Sequence, residues 1–129
     1  MKITGINHIT INVLDLPKSR EFYETVFELE PADFVDMGDH HLTYYALPGN
    51  VRLELIEYVS PLEDMNVSEL QTGTYRHLCL ETDDLEELAG RCRKWGNTLT
   101  REPSFEPKLN FRNILLKDPN GVEIEVIQA

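Results

Sequence analysis

The sequence predicts an α+β fold in which two βαβββ modules form a curved mixed sheet with the helices on its outside. Stretches of alternating apolar and polar residues, which are typical of strands, surround two stretches of helical periodicity. The order strand, helix, strand, strand, strand occurs twice along the 129 residues. Because a unit of this size cannot close its own core, we expect the two modules to share one.

The first module is predicted over residues 1–58 and begins with a strand over Ile6–Leu14. Asp15 can cap the helix that follows, Pro17 is tolerated in its first turn, and the apolar periodicity runs to about Leu29 before Pro31 stops it. Three further strands complete the module: Phe34–Met37, His41–Leu47 and Val51–Tyr58.

Residues 59–73 are polar and irregular and are predicted to be a linker. The second module, residues 74–129, begins with a strand over Tyr75–Thr82. Asp83 and Asp84 can cap the next helix, and Gly96 is in a position to end it. Three closing strands are predicted: Thr98–Arg101, Phe111–Lys117 and Val122–Ile127. We expect residues 1–129 to make up a single domain.

The repeat is strongest at two histidines and two glutamates. His8 aligns with His77 at an offset of 69 residues, and Glu54 aligns with Glu125 at an offset of 71. Each glutamate lies in the middle of an apolar strand. A carboxylate there must be protonated, paired with a cation or bound to a metal.

Two imidazoles and two carboxylates form a nitrogen and oxygen ligand set. Such a set suits a divalent ion of Zn, Ni, Co, Mn or Fe, with room for water ligands. Cys79 and Cys92 fall in a predicted strand and a predicted helix, and we expect both to be reduced and structural. The sequence therefore predicts a metal site held by histidine and glutamate.

The charge and the hydropathy exclude several classes of partner. The net charge of −11 is unsuited to nucleic acid, which needs a basic surface. No apolar run approaches the roughly 20 residues of a membrane span. A strand pattern begins at the first residues and leaves no room for a signal peptide, so the prediction is a cytoplasmic protein.

Two stretches resemble the vicinal oxygen chelate superfamily. The first is Ile6–Leu16 with Phe22-Tyr23 after it, and the second is Asp118–Gly121 followed by Ile124-Glu125-Val126. This superfamily includes glyoxalase I, methylmalonyl-CoA epimerase, extradiol dioxygenases, and fosfomycin and bleomycin resistance proteins. The resemblance covers nearly the whole chain and implies a homodimer whose sites often form between modules of two chains. It also implies four metal ligands: His8, Glu54, His77 and Glu125.

The ligand order His, Glu, His, Glu is most similar to that of bacterial glyoxalase I. The resemblance implies a metal-dependent, lactoylglutathione lyase-like enzyme that moves a proton on a chelated α-hydroxycarbonyl or hemithioacetal substrate. Glu125 is the implied base and Glu54 its partner. Many glyoxalases have an arginine four residues after the first histidine, where it helps to bind a glutathione carboxylate, but this chain has Asn12 there. Gly73, four residues before the second histidine, is not basic either. The sequence therefore leaves open which thiol forms the hemithioacetal substrate.

Three alternatives remain. A methylmalonyl-CoA epimerase usually has a second histidine directly before the position of His77, where this chain has Arg76. An extradiol dioxygenase would use two histidines and one glutamate with Fe(II), which leaves Glu54 unexplained. A drug-binding resistance protein, which is not an enzyme, normally lacks the metal ligands.

The remaining charged residues near these strands are predicted to be solvated. This group comprises the two acids Glu57 and Glu123, the turn residues His40 and His41, and the basic residues Arg101, Lys108 and Arg112.

Overall fold

The structure is a computed structural model that describes residues 1–63, 68 and 70–129. It divides into two compact units, residues 1–63 and 64–129, which are described separately below. The predicted linker, residues 59–73, includes residues 64–67 and 69, which lie outside the described residues. The organisation as a single domain with modules 1–58 and 74–129 stays a prediction.

The first unit is a βαβββ module with one four-stranded sheet in the order β1-β4-β3-β2. Strand β1 runs parallel to β4, and the other neighbours are antiparallel. Its elements are β1 (His8–Asn12), α1 (Leu16–Thr25), β2 (Pro31–Asp36), β3 (His40–Leu47) and β4 (Val51–Tyr58).

The second unit repeats this plan with the sheet order β5-β8-β7-β6. Strand β5 runs parallel to β8, and the other pairs are antiparallel. Its elements are β5 (Leu78–Glu81), α2 (Leu85–Trp95), β6 (Leu99–Glu106), β7 (Phe111–Lys117) and β8 (Glu123–Gln128). Two helices and two four-stranded mixed sheets confirm the predicted α+β fold class.

Both helices begin at the aspartates that the sequence predicts as caps. The Asp15 carboxylate accepts a hydrogen bond from the backbone N–H of Lys18, and the Asp84 carboxylate accepts one from Glu87. Each bond satisfies an amide that has no partner inside the first turn. Helix α2 ends at Gly96, whose φ of +98° is the left-handed conformation that favours glycine.

Several predicted boundaries differ from the observed ones. Helix α1 ends at Thr25 rather than near Leu29, and Glu28 has a left-handed φ of +52° that a continuing helix could not contain. Strand β6 extends to Glu106 rather than Arg101. Pro103 interrupts the strand pattern in the sequence, but an edge strand tolerates a proline, and the register of β6 against β7 shifts twice between Leu99 and Ser104, the second time across Pro103.

The start of β5 also differs, and this matters for the site. The strand begins at Leu78, where its pairing with Ile124 of β8 begins, rather than at Tyr75. His77 therefore lies one residue before the strand, whereas His8 is the first residue of β1.

The predicted two-faced strands are confirmed. Ile11 and Val13 are buried in the first unit while His8 is exposed, and Ile124 and Val126 are buried in the second. Each unit thus packs one sheet face in its core and keeps its histidine and glutamate on the opposite face.

No helix among the described residues is both long enough and apolar enough to cross a membrane.

Candidate functional site

In the first unit, His8 and Glu54 lie on neighbouring parallel strands. Thr10 of β1 is paired with Glu54 of β4, and its hydroxyl donates to Glu54 Oε1 at 3.0 Å. His8 Nε2 lies 4.0 Å from the same oxygen. Glu54 is only 6% exposed, so its carboxylate is held within the site by a neutral donor and next to an imidazole.

The ring of His8 is oriented by its neighbour in sequence. Its Nδ1 lies 2.7 Å from Asn7 Oδ1. Because an amide oxygen only accepts, Nδ1 is the donor, and a neutral His8 carries its lone pair on Nε2, the nitrogen that faces Glu54. A hydrogen bond to the second ring nitrogen is the usual way in which a protein orients a metal-binding histidine.

Tyr44 is a member of this site that the sequence did not predict. It lies opposite Glu54 in the β3–β4 pairing and is 9% exposed. A hydrogen bond to Glu54, followed by burial, raises the pKa of the Tyr44 phenol. The Arg52 guanidinium lies 4.0 Å from the centre of the Tyr44 ring and forms an ion pair with Asp33 at 3.2 Å. The sequence could have identified Tyr44, because the residue three before Leu47 pairs with the residue three after Val51, and this places Tyr44 opposite Glu54.

In the second unit, His77 Nε2 lies 3.3 Å from Glu125 Oε1. The other carboxylate oxygen, Oε2, accepts a hydrogen bond from the Asn113 amide at 2.8 Å. The Nδ1 atom of His77 is buried and has no hydrogen-bond partner within the described part of the chain. A buried imidazole nitrogen without a partner normally costs free energy, and among the described residues His77 has no contact like the one by which Asn7 orients His8.

Cys79 lies beside Glu125 in the β5–β8 register. Burial, and then a hydrogen bond to Glu125, raises the pKa of its thiol to about 12. In the protein without metal the thiol is therefore neutral near pH 7. Cys79 and Cys92 are both free thiols, as we expected.

The predicted ligands thus occur as one histidine–glutamate pair in each unit. Within each unit, the described residues contain no group of three or more His, Cys, Asp or Glu side chains placed to hold a metal. The donors of each pair, one imidazole and one carboxylate, are of the types that Zn, Ni, Co, Mn and Fe accept. The oriented ring of His8, whose Nε2 faces Glu54, and the buried carboxylate of Glu54 fit such an ion.

The prediction that Glu57 is solvated is wrong. Its carboxylate is half-buried and accepts a hydrogen bond from the backbone N–H of Leu16 at 3.1 Å, at the start of α1. Strand alternation correctly placed Glu57 on the face opposite Glu54, but that face meets the N-terminus of a helix. An acid at this position satisfies a free amide and interacts favourably with the helix dipole.

The two adjacent histidines are also less exposed than predicted, because both belong to β3, which begins at His40, one residue before the predicted start at His41. His40 stacks on Tyr58, with ring centres 5.0 Å apart. His41 lies between two carboxylates, with Asp36 and Glu57 each 3.7 Å from one of its ring nitrogens. Both are half-buried and belong to the packing of the first sheet.

Two of the three basic residues also differ from prediction. Arg101 is half-buried, and its Nε donates to Asn113 Oδ1 at 2.7 Å. Arg112 is half-buried and forms an ion pair with Glu86 on α2. Lys108 is exposed, as predicted.

The chain consists of two βαβββ units, and each has a histidine on or just before its first strand and a glutamate on its fourth. This arrangement defines a class of protein built on an internal repeat. Residues 5–126 match the sequence profile of the Glyoxalase/Bleomycin resistance protein/Dioxygenase superfamily. The chain belongs to this superfamily, and the resemblance seen in the sequence is confirmed.

One relative is similar to this chain in sequence, and two solved structures are similar to it in fold. It is 27% identical over 137 residues to the mitochondrial methylmalonyl-CoA epimerase of Mus musculus, with 99% of this chain and 75% of that protein covered. Glyoxalase I from Zea mays has a similar structure, with a TM-score of 0.82 at 20% identity over 96% of this chain and 44% of that chain. TnmS3, an antibiotic binding protein from Streptomyces sp. CB03234, has a TM-score of 0.75 at 22% identity over 99% and 98%. The two structural likenesses show a shared fold.

Proposed function

We propose that this protein is a metal-dependent enzyme of the glyoxalase I type, a lyase or isomerase that moves a proton between adjacent carbons of a small substrate. The observation that carries the proposal is the pair of matched sites, with His8 near Glu54 and His77 near Glu125. We propose that both pairs supply ligands to one divalent metal.

The metal, when bound, supplies Lewis-acid polarisation of the substrate carbonyl and so acidifies the neighbouring C–H bond. The protein's own residues supply the rest of the chemistry. His8 and His77 bind as neutral imidazoles. Glu125 accepts the proton from one carbon and returns it to the next, and Glu54 is its partner carboxylate.

The surroundings of the two carboxylates support these roles. The Glu125 side chain is 16% exposed and the Glu54 side chain 8%, so Glu125 is the more open to a substrate. One oxygen of Glu125 accepts from Asn113, and the other faces His77. A partly buried carboxylate with one oxygen held and one facing the site is suited to positioned proton transfer.

A second candidate substrate class is supported by the sequence relatives. The mouse and human relatives, each 27% identical to this chain, are both methylmalonyl-CoA epimerases, so an acyl-CoA thioester is the alternative to a hemithioacetal. The same proton transfer applies to both substrates. The likeness to an antibiotic binding protein concerns the fold and gives no specific support for a binding function.

Turnover assays on the metal-loaded protein test this proposal. Hemithioacetals of methylglyoxal with several thiols, then α-hydroxyketones, then acyl-CoA thioesters, should be followed by NMR in D₂O, where proton transfer appears as deuterium incorporation or product formation. We expect turnover with one of these classes. With glutathione as the thiol we expect weak or no activity, because Asn12 stands where many glyoxalases have an arginine.

Robust turnover with glutathione would show that this interpretation of Asn12 is wrong. An absence of proton exchange with every class, in protein that carries one metal per chain, would contradict the proposed function. Ring cleavage of a catechol would identify the dioxygenase alternative instead.

We also propose that the protein is a homodimer, since each unit contributes one half of a ligand set. It should elute as a dimer in size-exclusion chromatography with light scattering at micromolar concentration. If the sites form between chains, mixing His8→Ala with Glu125→Ala protein under subunit exchange should restore some metal sites, because one combination of units is intact. A metal-loaded monomer would contradict the dimer.

A further inference from the structure

A chain of two hydrogen bonds crosses three neighbouring strands of the second sheet. Arg101 Nε on β6 donates to Asn113 Oδ1 on β7 at 2.7 Å. Asn113 Nδ2 in turn donates to Glu125 Oε2 on β8 at 2.8 Å. Neither Arg101 nor Asn113 belongs to the ligand set, yet together they hold one of its carboxylates.

The chemistry of the two neighbours permits one orientation of the Asn113 amide. A guanidinium only donates, so it must face the amide oxygen, and an ionised carboxylate only accepts, so it must face the amide nitrogen. A flipped amide would lose both hydrogen bonds. Because Asn113 is only 8% exposed, little water is available to replace them.

The partner of Arg101 is a neutral amide, which is unusual in a chain with 23 acidic and 12 basic residues. Five other arginines form ion pairs with carboxylates: Arg20, Arg52, Arg91, Arg93 and Arg112. Within the described residues, Arg101 forms no ion pair. A direct arginine–glutamate pair would compete with any cation for the charge of Glu125. An intervening amide fixes the carboxylate and leaves that charge available.

The first unit has no amide at the position that corresponds to Asn113. The offset of 71 residues that relates Glu125 to Glu54 relates Asn113 to Leu42. Glu54 accepts from the Thr10 hydroxyl on Oε1, the same oxygen that faces His8, and it also hydrogen-bonds the Tyr44 phenol. In Glu125 the two oxygens are separated in role, because Oε2 is held by Asn113 and Oε1 faces His77.

We propose that Asn113 is a positioning residue, and that Arg101 orients its amide. Asn113 holds Oε2 of Glu125 in a hydrogen bond, so that Oε1 is the oxygen available to a metal or a substrate. This rests on the proposed function for what Oε1 does, namely that it would bind the metal and, once released from it, would accept the substrate proton. The positioning itself is a property of the protein without metal and can be measured separately.

The first measurement uses metal-free protein. The side-chain NH₂ of Asn113, assigned in a ¹⁵N–¹H spectrum, should show a shifted resonance and slow exchange with water. Glu125→Ala should abolish both properties, and Arg101→Gln should weaken them, whereas Glu54→Ala should change neither. An Asn113 signal that is the same in wild type and in Glu125→Ala would overturn the proposal, whatever reaction the protein catalyses.

The second measurement is titration of the metal-free protein with Co²⁺. Asn113→Leu keeps the approximate size of the side chain and removes both hydrogen bonds, and it should weaken Co²⁺ binding by about 10- to 100-fold, the usual effect of losing a partner of a metal ligand. In a Glu125→Asp background the shorter carboxylate is withdrawn from Asn113, so the same substitution should then change affinity by less than about twofold. In a Glu54→Asp background, Asn113→Leu should still weaken Co²⁺ binding by the full factor.

Arg101→Gln is the second variant if Asn113→Leu does not fold, and it should weaken Co²⁺ binding by a smaller factor because Asn113 remains. Arg93→Gln is its matched control, since Arg93 pairs with Glu102 in the same unit and contacts no proposed ligand. Unchanged Co²⁺ affinity in both Asn113→Leu and Arg101→Gln, with metal lost in Glu125→Ala, would overturn the positioning role and leave the proposed function intact. A wild-type protein that binds no metal would refute the proposed function, and the NMR comparison would still decide whether Asn113 holds Glu125.

Discussion

Replacing Glu125 with glutamine should lower turnover by about 10²-fold or more, the usual contribution of a positioned general base. The introduced glutamine is close in size to the original side chain, and its amide oxygen can still accept a hydrogen bond from Asn113 or bind a metal. It cannot take a proton from carbon. Metal affinity should therefore fall modestly while kcat falls steeply. The measurement is steady-state kinetics with the substrate that the turnover assays identify.

Glu123→Gln is the matched control for this experiment. It removes the same charge from the same face of β8, two residues away, and Glu123 is not one of the four proposed ligands. We expect its turnover to equal that of the wild type. If Glu125→Gln also turns over at the wild-type rate, Glu125 is not the base, and Glu54 becomes the remaining carboxylate of the set.

The second large effect is expected for His77→Ala. This variant should lose most of its bound metal and remain folded, because the His77 side chain is 31% exposed and the core of its unit is built from the opposite sheet face. Metal content by elemental analysis and the thermal unfolding curve should be recorded on the same sample. His40→Ala is the control, since it removes a half-buried histidine that belongs to neither ligand pair.

Full metal retention in His77→Ala would contradict the four-ligand assignment. Loss of metal together with unfolding would not, by itself, identify a ligand. The unfolding curve of the metal-free wild type therefore provides the reference against which the variant is compared.

The sequence predicted the parts of this fold that depend on local pattern. Val51–Tyr58, Leu85–Trp95 and Phe111–Lys117 occur at the predicted positions, because strong alternation or helical periodicity is bounded by turn residues and a cap. The histidine–glutamate pairs followed from the internal repeat. Residues at matching positions in two copies of a module occupy similar places, although His77 lies one residue before β5 and His8 is the first residue of β1.

The residues around the two carboxylates depend on contacts between strands, which local pattern does not encode. Tyr44 could have been found, because the tight turn between Leu47 and Val51 fixes the register and places Tyr44 opposite Glu54. Asn113 could not have been found in this way. Its direct partner across the β7–β8 pair is Ile127, and it reaches Glu125 along the diagonal.

Glu57 shows a different limit of the sequence. Alternation placed it correctly on the face opposite Glu54, but an exposed strand face and one that meets a helix look the same in the pattern. The free amide of Leu16 distinguishes them, and only the packing of α1 brings that amide to the Glu57 carboxylate.

The ratio of metal to chain in four single variants tests the central claim most directly, because that claim is that one metal takes ligands from both units. After loading with Co²⁺ and removal of excess metal, the wild type should hold one ion per chain. We expect His8→Ala, Glu54→Ala, His77→Ala and Glu125→Ala each to hold much less, while His40→Ala stays at one. If variants of one unit lose the metal and those of the other keep it in full, the two pairs do not share an ion and the account is wrong.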